Sequence, residues 1–364
     1  MRARTIRSVA VSASVVCAIP AVASPPPRVV HARVETRATT GTLERTARDW
    51  AAAQSTPAWL GYEVRATGGH EMCCYDSVEA SGRADIPAGC RIEQHGSFTM
   101  RGGEDRIAAL DDETAIVLLR AEQGRIGRLR MVSRGCGIDA GGLALVWLDD
   151  VKPAESLALL ASLVGTTNAA DEDRKDKLSD GALMAMAMHE GPAADDALER
   201  FLEPARPERV RKQAAFWMGN ARGRRGYEAL SRLVRDDPSD KVREHGVFAL
   251  SQSEVPEAVD AMIRVAREDR SSHVRGQALF WLGQKAGRKA VAAITRALED
   301  DPETEVKKKA VFALSQLPRE EGVPRLIEVA RTNRNPEVRK QAMFWLGQSG
   351  DSRALAFFQE VLGR

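Results

Sequence analysis

The chain has 364 residues, of which 29% are charged, and its 53 lysines and arginines nearly balance its 51 aspartates and glutamates to give a formal net charge of +2. This balance argues against binding of nucleic acid by overall electrostatic attraction, and the length is enough for two domains. The sequence has no G-x-S-x-G, H-E-x-x-H or phosphate-binding glycine loop, so we predict no catalytic residue, no metal ligand and no cofactor.

The N-terminus is predicted to be a secretory signal peptide covering residues 1–23. A basic segment, MRARTIR, precedes an apolar stretch from Ser8 to Ala23, and Ala21-Val22-Ala23 has the A-x-A form of a cleavage site. An uncleaved anchor is the alternative, but the apolar stretch is short and polar residues interrupt it. No other apolar run reaches the ~20 residues that a membrane span needs. We therefore expect an exported protein, periplasmic or extracellular, without a transmembrane anchor after cleavage.

Residues 24–41, which begin Ser-Pro-Pro-Pro, are predicted to be a flexible leader. Residues 42–165 then read as a small α+β domain. A short helix begins near Leu43, and apolar residues alternate with period two in Trp59–Val64 and in a hairpin from Ala115 to Val132. Another strand covers residues 143–148, and a helix follows from Pro153. The pattern predicts a small antiparallel sheet.

Four cysteines remain after removal of the signal peptide, and all of them lie in this domain. They are Cys73, Cys74, Cys90 and Cys136. An even number of cysteines in an exported chain predicts two disulfides. A bond between adjacent cysteines is strained, so Cys73 or Cys74 pairs with Cys90 and the other with Cys136; both assignments stay open. The alternative is a metal site that includes His70, but the spacing fits no zinc motif.

After a predicted linker at residues 166–177, one pattern returns every 32 residues to the C-terminus. The valines of this pattern are Val210, Val242, Val274, Val306 and Val338, and the phenylalanines are Phe216, Phe248, Phe280, Phe312 and Phe344. Each repeat carries two apolar stripes at helical spacing and therefore reads as two helices. Residues 178–364 are thus predicted to form an all-α superhelical solenoid of about six repeats. The first repeat is degenerate, and we expect it to contact the N-terminal domain.

We interpret the phenylalanines as a structural ladder buried between repeats. The residue after each phenylalanine alternates, as Trp217, Ala249, Trp281, Ala313 and Trp345. Three residues after each phenylalanine, glycine and serine alternate in step, from Gly219 to Gly347. A large side chain in one layer then fits opposite a small one in the next. The alternative is an exposed tryptophan row that stacks on a ligand.

The repeats resemble HEAT repeats, specifically the short bacterial kind found in phycobilisome-lyase-like HEAT proteins. The resemblance rests on D-P-x-x-x-V-R, as in Asp237-Pro238 and Val242-Arg243, and on A-x-x-A-L-G-Q, as in Ala278 to Gln284. It implies a scaffold with its second helices on a concave face, and hydrogen bonds between the aspartates and arginines of successive repeats. We predict no bilin site.

Two rows of charge follow the repeats. The first joins Asp237, Asp269 and Asp301 to Arg243, Arg275, Lys307 and Arg339, and we predict that it links the repeats, with the fork lost at the lysine. The second lies on the second helices and comprises Arg232, Arg264, Arg296, Arg235, Arg267 and Arg331. It is either a basic track for an acidic segment of another protein or a solvated face whose charge nearby acids dilute.

The predicted function is non-catalytic protein–protein interaction, as a scaffold or adaptor in the cell envelope that binds through the concave surface of the solenoid. One alternative is an accessory factor or enzyme whose N-terminal domain acts on a substrate recruited by the solenoid. Another is binding of an anionic polymer, which salt would weaken strongly.

Overall fold

The computed structural model describes residues 26–68, 71–73, 89–93, 99–101, 113–165, 172–285 and 287–363. The predicted signal peptide, residues 1–23, lies outside these ranges. Among the described residues, every helix is too short or too polar to cross a lipid bilayer.

The N-terminal part contains ten strands and two helices within the described residues. They are β1 (Val29–Val30), β2 (Val34–Ala38), α1 (Leu43–Ala52), β3 (Ala58–Arg65), β4 (Glu71–Cys73), β5 (Gly89–Arg91), β6 (Thr99–Arg101), β7 (Thr114–Glu122), β8 (Arg125–Ser133), β9 (Gly137–Asp139), β10 (Leu145–Asp149) and α2 (Pro153–Leu163). The α+β class predicted for this part is confirmed.

The main sheet has five strands in the order β2-β10-β3-β7-β8. Strands β3, β7 and β8 are antiparallel, as predicted, and the β7–β8 turn places Gln123 and Gly124 at positive φ of 52° and 74°. Strand β10, however, is parallel to both β2 and β3, so the sheet is mixed and not purely antiparallel. Apolar alternation reveals which face of a strand is buried, but it does not reveal the direction of the neighbouring strand.

Residues 24–41, which we predicted to be a flexible leader, instead contribute two strands. Strand β1 pairs with β9, and β2 forms one edge of the main sheet beside β10. All five side chains of β2 are exposed, so hydrogen bonds of the main chain hold this strand. One example is the bond from the Leu145 amide to the Arg33 carbonyl, at 2.9 Å. A short edge strand of this kind has no apolar pattern for sequence analysis to detect.

The C-terminal part is an α-solenoid of six helix pairs within the described residues. The pairs are α3 (Glu172–Met188) with α4 (Pro192–Glu199), α5 (Glu208–Ala221) with α6 (Gly223–Asp236), α7 (Asp240–Gln252) with α8 (Glu257–Glu268), α9 (Ser272–Lys285) with α10 (Val291–Asp300), α11 (Thr304–Ser315) with α12 (Arg319–Thr332), and α13 (Pro336–Gln348) with α14 (Ser352–Leu362). The predicted solenoid is confirmed, although α3 begins inside the segment predicted to be a linker.

Side-chain oxygens at the junctions between repeats fix where the first helices begin. Asp237, Asp269, Asp301 and Asn333 each accept a hydrogen bond from the backbone N–H two residues later, at 2.8–3.0 Å. Such turns satisfy a backbone donor that the following helix leaves unpaired. The aspartate of the D-P pattern therefore stabilises the turn within its own repeat, in addition to any contact with another repeat.

The sheet closes the N-terminal end of the solenoid. Helix α3 packs against β8 and α2, and one apolar cluster runs without a break from Leu43 in α1 to Phe357 in α14. A second cluster, which contains Trp59 and Trp147, covers the other face of the sheet. The contact expected between the degenerate first repeat and the N-terminal domain is therefore a continuous core. A helix pair at the end of a solenoid needs such a cover for its apolar side.

Candidate functional site

The aspartate–arginine row forms a ladder of buried ion pairs between successive repeats. Arg243 donates from Nε and Nη2 to the two carboxylate oxygens of Asp269, at 2.8 and 2.9 Å. Arg275 binds Asp301 in the same way, at 2.7 and 3.0 Å. The row begins one repeat earlier than we predicted, because Arg211 lies 3.0 Å from Asp237 and both side chains are buried. The ladder links the repeats, and because its charges are buried and paired, they are not exposed to a ligand.

The ladder changes at its C-terminal end. Lys307 donates to the Glu299 carbonyl at 3.0 Å, and the residue opposite is Asn333 where earlier rungs have aspartate. The two-pronged contact of the earlier arginines is therefore absent at Lys307, as predicted. Arg339, the last arginine of the row, donates from Nη1 to the Asn333 and Arg334 carbonyls, at 2.8 and 3.1 Å.

The phenylalanines and tryptophans form one continuous aromatic row along the first helices. Ring centroids lie 5.0–6.1 Å apart between consecutive members. In order, the members of the aromatic row are Trp217, Phe216, Phe248, Trp281, Phe280, Phe312, Trp345 and Phe344. Two phenylalanine pairs are stacked across neighbouring helices, Phe216 with Phe248 and Phe280 with Phe312.

The phenylalanines of the aromatic row do not lie in the core, where we predicted them to be, whereas Trp217 at the start of the row is buried. The first four phenylalanines are half-buried, and Phe344 is 54% exposed. Within α9, Val274, Ala278 and Leu282 face the core, and Phe280 lies to one side of them, in the groove towards α11. Helical spacing gives the angle between residues but does not say which arc meets the neighbouring helix. The rings therefore fill the grooves between first helices near the surface.

Four of the six arginines of the predicted basic track are paired within the chain. Arg232 lies 3.2 Å from Glu199 of the preceding repeat, and Arg331 donates to Glu360 of the following one at 3.0 Å. Arg235 and Arg267 are near the acidic residues that follow them in sequence, at 2.8 and 3.9 Å. These contacts neutralise part of the second-helix surface.

The remaining two arginines, Arg264 in α8 and Arg296 in α10, are exposed, and neither has an ion-pair partner among the described residues. They occupy the same position in consecutive repeats. Other pairs also connect neighbouring repeats, such as Lys289, in the turn before α10, with Asp260 of α8 at 3.2 Å. The sequence therefore shows where the arginines of the row lie but not which of them are paired within the chain.

The structure describes the side chains of two of the four cysteines. Cys90 and Cys136 are both buried in the cluster around Trp59. The side chain of Cys73, and His70 and Cys74 entirely, lie outside the described residues, so the pairing of the four cysteines stays a prediction. Among the described residues, no group of three or more histidine, cysteine, aspartate and glutamate side chains could hold a metal ion.

A buried polar network joins the sheet to α3, and sequence analysis missed it. Ser156 Oγ lies 2.9 Å from His189 Nε2 and 3.0 Å from the Tyr62 hydroxyl, while His189 Nδ1 lies 2.7 Å from the Ala185 carbonyl. The carbonyl only accepts, so Nδ1 carries the proton and Nε2 accepts from Ser156. All three side chains are at most 1% exposed. Although a serine beside a histidine is typical of a nucleophile and its base, this pair is inaccessible to a substrate.

A buried arginine reinforces the same junction. Arg222 donates from Nη1 to the carbonyls of Ala187 and His189, at 3.0 and 2.7 Å, and from Nη2 to that of Gly191, at 2.9 Å. Its Nε donates to Asp195. The positions 32 residues later in each repeat are not arginine, so the repeat pattern gave no signal for it.

A family model agrees with the architecture of the helix pairs. The family model for HEAT repeats matches residues 194–283, 259–332 and 291–364. No curated protein is similar in sequence to the chain.

Three solved structures illustrate what the chain is similar to. The complex of CpcE and CpcF of phycocyanin lyase from Nostoc sp. PCC7120 has 21% identity over 57% of this chain and 80% of that one, with a TM-score of 0.32. Human deoxyhypusine hydroxylase in complex with glycerol has 17% identity over 57% and 89%, with a TM-score of 0.27. The S. pombe condensin Cnd3-Cnd2 subcomplex has 16% identity over 56% and 34%, with a TM-score of 0.26.

The repeating helix pairs, the ladder of aspartate and arginine between them and the match to the family model lead to one assignment. Residues 194–364 of this chain are HEAT repeats.

Proposed function

We propose that the protein is a non-catalytic scaffold or adaptor of the cell envelope, and that it binds an acidic segment of another protein along its second helices. The observation that carries this proposal is the exposure of Arg264 and Arg296 at equivalent positions of consecutive repeats. A solenoid presents equivalent residues of its repeats along one extended surface, which suits binding of an extended chain.

The charges around these two arginines favour a focused site over a long track. Arg232 and Arg331, on either side along the row, are held by Glu199 and Glu360. An acidic segment therefore meets its strongest attraction at α8 and α10, without first displacing an internal carboxylate. Neighbouring helices pack roughly 8–10 Å apart, so carboxylates about three residues apart in an extended peptide can reach both arginines.

The test is binding of a labelled glutamate-rich peptide to the full chain and to the double variant Arg264→Glu/Arg296→Glu. We expect the double variant to lose binding and to keep the helical circular dichroism spectrum. The matched control reverses two exposed arginines of the loops between helices, Arg200→Glu and Arg334→Glu, and should bind as the unmodified chain does. Equal loss in both double variants, or no loss in either, would count against the proposed surface.

The location in the envelope is a second part of the proposal. It is supported by the sequence of residues 1–23 and by the two disulfides predicted from the even number of cysteines, of which Cys90 and Cys136 are buried. Disulfides persist in oxidising compartments and are rare in the cytosol. We expect the protein recovered from an envelope fraction to begin at Ser24, and its mass without reduction to be about 4 Da lower than after reduction, for two disulfides. An intact N-terminus in the cytosolic fraction would contradict this part.

A further inference from the structure

The outer side of strand β2 is an open edge of the main sheet. Among the described residues, β2 is the last strand at that end of the sheet, and β10 is its one neighbour. All five of its side chains are exposed, so no described helix or loop covers either face of the strand. At the opposite end of the sheet, by contrast, α3 and β4 contact β8. The edge of β2 is therefore the place where another strand can extend the sheet.

The main-chain groups along this edge belong to alternate residues. Strand β2 runs parallel to β10 with Val34 opposite Leu145, and the Leu145 amide donates to the Arg33 carbonyl at 2.9 Å. In a parallel pair, every second residue directs both its N–H and its C=O towards the neighbouring strand. The odd-numbered residues of β2 therefore face β10, and the even-numbered residues direct their N–H and C=O groups outwards: Val34, Thr36 and Ala38.

The order of the side chains makes β2 complementary to a second copy of itself. In an antiparallel pair centred on Thr36, Glu35 of each copy lies directly opposite Arg37 of the other. Thr36 then lies opposite Thr36, and Val34 opposite Ala38. Opposite charges and threonines at directly opposite positions stabilise an antiparallel pair, whereas like charges destabilise it.

The main chain selects the same register. Thr36 is the central residue of β2 and directs its N–H and C=O outwards, so a two-fold axis beside it gives every outward group of both copies a hydrogen-bonding partner. A register centred on Glu35 or on Arg37 would place like charges opposite each other. It would also direct main-chain groups that already face β10 towards the other copy. Charge and hydrogen bonding therefore agree on one register.

Both faces of the strand suit this pairing. Val34 is 37% exposed, and it is the one exposed large apolar side chain of the described residues outside the last helix pair. In the paired edge it would contact Ala38 of the other copy, which removes apolar surface from water. On the other face, Arg37 Nε lies 2.9 Å from the Glu35 carboxylate of the same copy. Pairing would bring two such ion pairs together with their charges alternating in sign.

We propose that the protein forms a two-fold symmetric dimer in which the two β2 strands pair antiparallel about Thr36 and join two five-stranded sheets into one. The solenoid begins beside β8, the strand furthest from β2, so it does not obstruct the joined edge. With neighbouring strands about 4.8 Å apart, the two β8 strands lie about 40 Å apart. Because the axis is perpendicular to the sheet, both solenoids lie on the same face of the joined sheet.

Mixing of two charge variants tests this pairing. Glu35→Arg sets arginines opposite each other and Arg37→Glu sets glutamates opposite each other, so we expect the dissociation constant of either dimer to rise about 10-fold or more. A mixture of the two variants restores opposite charges at every position, and it should form heterodimers about as tightly as the unmodified chain forms dimers. Sedimentation velocity measures each dissociation constant, and native mass spectrometry identifies the heterodimer.

A third variant tests the main chain of the edge. Thr36→Pro removes an outward N–H but no hydrogen bond to β10, and edge strands tolerate proline at such positions. We expect it to keep the circular dichroism spectrum and to stay monomeric at concentrations where the unmodified chain is a dimer. The matched control is Arg200→Glu, an exposed charge reversal in the solenoid, which should dimerise normally. Arg264→Glu/Arg296→Glu should also dimerise normally, which separates this edge from the proposed basic surface.

The expected dimer is weak enough for its dissociation to be measured. Strands of five residues bury a small area, so we expect association at micromolar or higher protein concentration. A chain that stays monomeric up to millimolar concentration would overturn the proposal, and so would a dimer that Glu35→Arg, Arg37→Glu and Thr36→Pro all leave unchanged. Slow hydrogen exchange of the Thr36 amide in the monomer would also refute it, because another segment of the same chain would then occupy the edge.

Discussion

Arg243 and Asp269 lie in adjacent repeats and form a two-pronged ion pair with almost no contact with water. The arginine side chain is 1% exposed and the aspartate side chain 4% exposed. The third guanidinium nitrogen donates to the carbonyls of Asp237 and Pro238, at 3.0 and 3.4 Å, so the charges are paired and every nitrogen of the guanidinium has an acceptor. The hydrogen bonds to Asp269 raise the pKa of Arg243 above its usual value. A buried pair with satisfied partners keeps its geometry, and here it sets the spacing of the repeats.

Removal of one partner of this pair should destabilise the solenoid strongly. Asp269→Ala leaves a buried guanidinium unpaired, and we expect a loss of about 3–5 kcal/mol in the free energy of unfolding. Urea denaturation followed by circular dichroism measures it. The comparison is Lys307→Ala, at the rung without a fork, where we expect a loss under about 1 kcal/mol. A loss at Asp269 no larger than at Lys307 would show that the ladder contributes little.

The two glycine environments should respond in opposite ways to a larger side chain. A Cβ at Gly283 would lie 2.8 Å from the Ala313 Cα, so Gly283→Val forces apart the backbones of α9 and α11, and we expect it to cost about 1–3 kcal/mol or more. No described atom lies within 4 Å of the position of a Cβ at Gly347, so Gly347→Ala should leave stability unchanged or raise it by up to about 1 kcal/mol through the helix propensity of alanine. Thermal melts of both variants test this difference, and equal changes in melting temperature would contradict the close approach of Ala313 to Gly283.

The buried histidine should make stability depend on pH. Burial lowers the pKa of His189 from 6.5 to about 4, with the positive charge of Arg222 adding to the effect. The unfolded chain therefore takes up a proton at higher pH than the folded one. Stability should be fully present above about pH 6.5 and fall by roughly 3 kcal/mol as the pH drops towards 4.

Denaturation curves between pH 4 and 7.5 test this dependence. His189→Gln should be less stable at neutral pH and show a flatter profile, because the titrating ring is gone. An unaltered slope in His189→Gln would mean that other groups titrate in this range.

Truncation of the aromatic row should cost less than truncation of core aromatics. Phe280→Ala removes a half-buried ring stacked 5.2 Å from Phe312, and we expect a loss of about 1–3 kcal/mol, below the 3–5 kcal/mol typical of buried phenylalanine. Phe344→Ala should change the free energy of unfolding by no more than about 0.5 kcal/mol, because the ring is mostly exposed. Urea midpoints of the two variants test the order, and a larger cost at Phe344 would contradict it.

The sequence was sufficient to predict the solenoid, because period and helical spacing are local properties of the chain. Val274, Ala278 and Leu282 lie on the core side of α9, as their spacing requires. Their neighbour Phe280 obeys the same period, yet it occupies a groove, since the direction of the next helix decides how deep a side chain lies. The charge row on the second helices shows the same limit. Arg232 and Arg264 are equivalent in sequence, but only Arg232 meets a glutamate of the repeat before it.

Features that occur once in the chain could not be predicted from repetition. Arg222 and the network of Tyr62, Ser156 and His189 exist because a sheet meets a solenoid at one place. Strand β2 pairs through its main chain with β10, which lies more than one hundred residues later in sequence. Such contacts depend on the assembled fold, whereas the ladder depends on neighbours only.

The alternation of glycine and alanine along the first helices restricts how an array of this kind can change in length. Gly219 faces Ala249 and Gly283 faces Ala313, so layers of two kinds take turns. Deletion of a single layer would set two layers of the same kind against each other, so that a glycine would meet a tryptophan, or a serine an alanine, in place of the present contacts. Deletion or duplication of layers two at a time preserves every junction. The solenoid should therefore tolerate the gain or loss of an even number of layers better than that of an odd number.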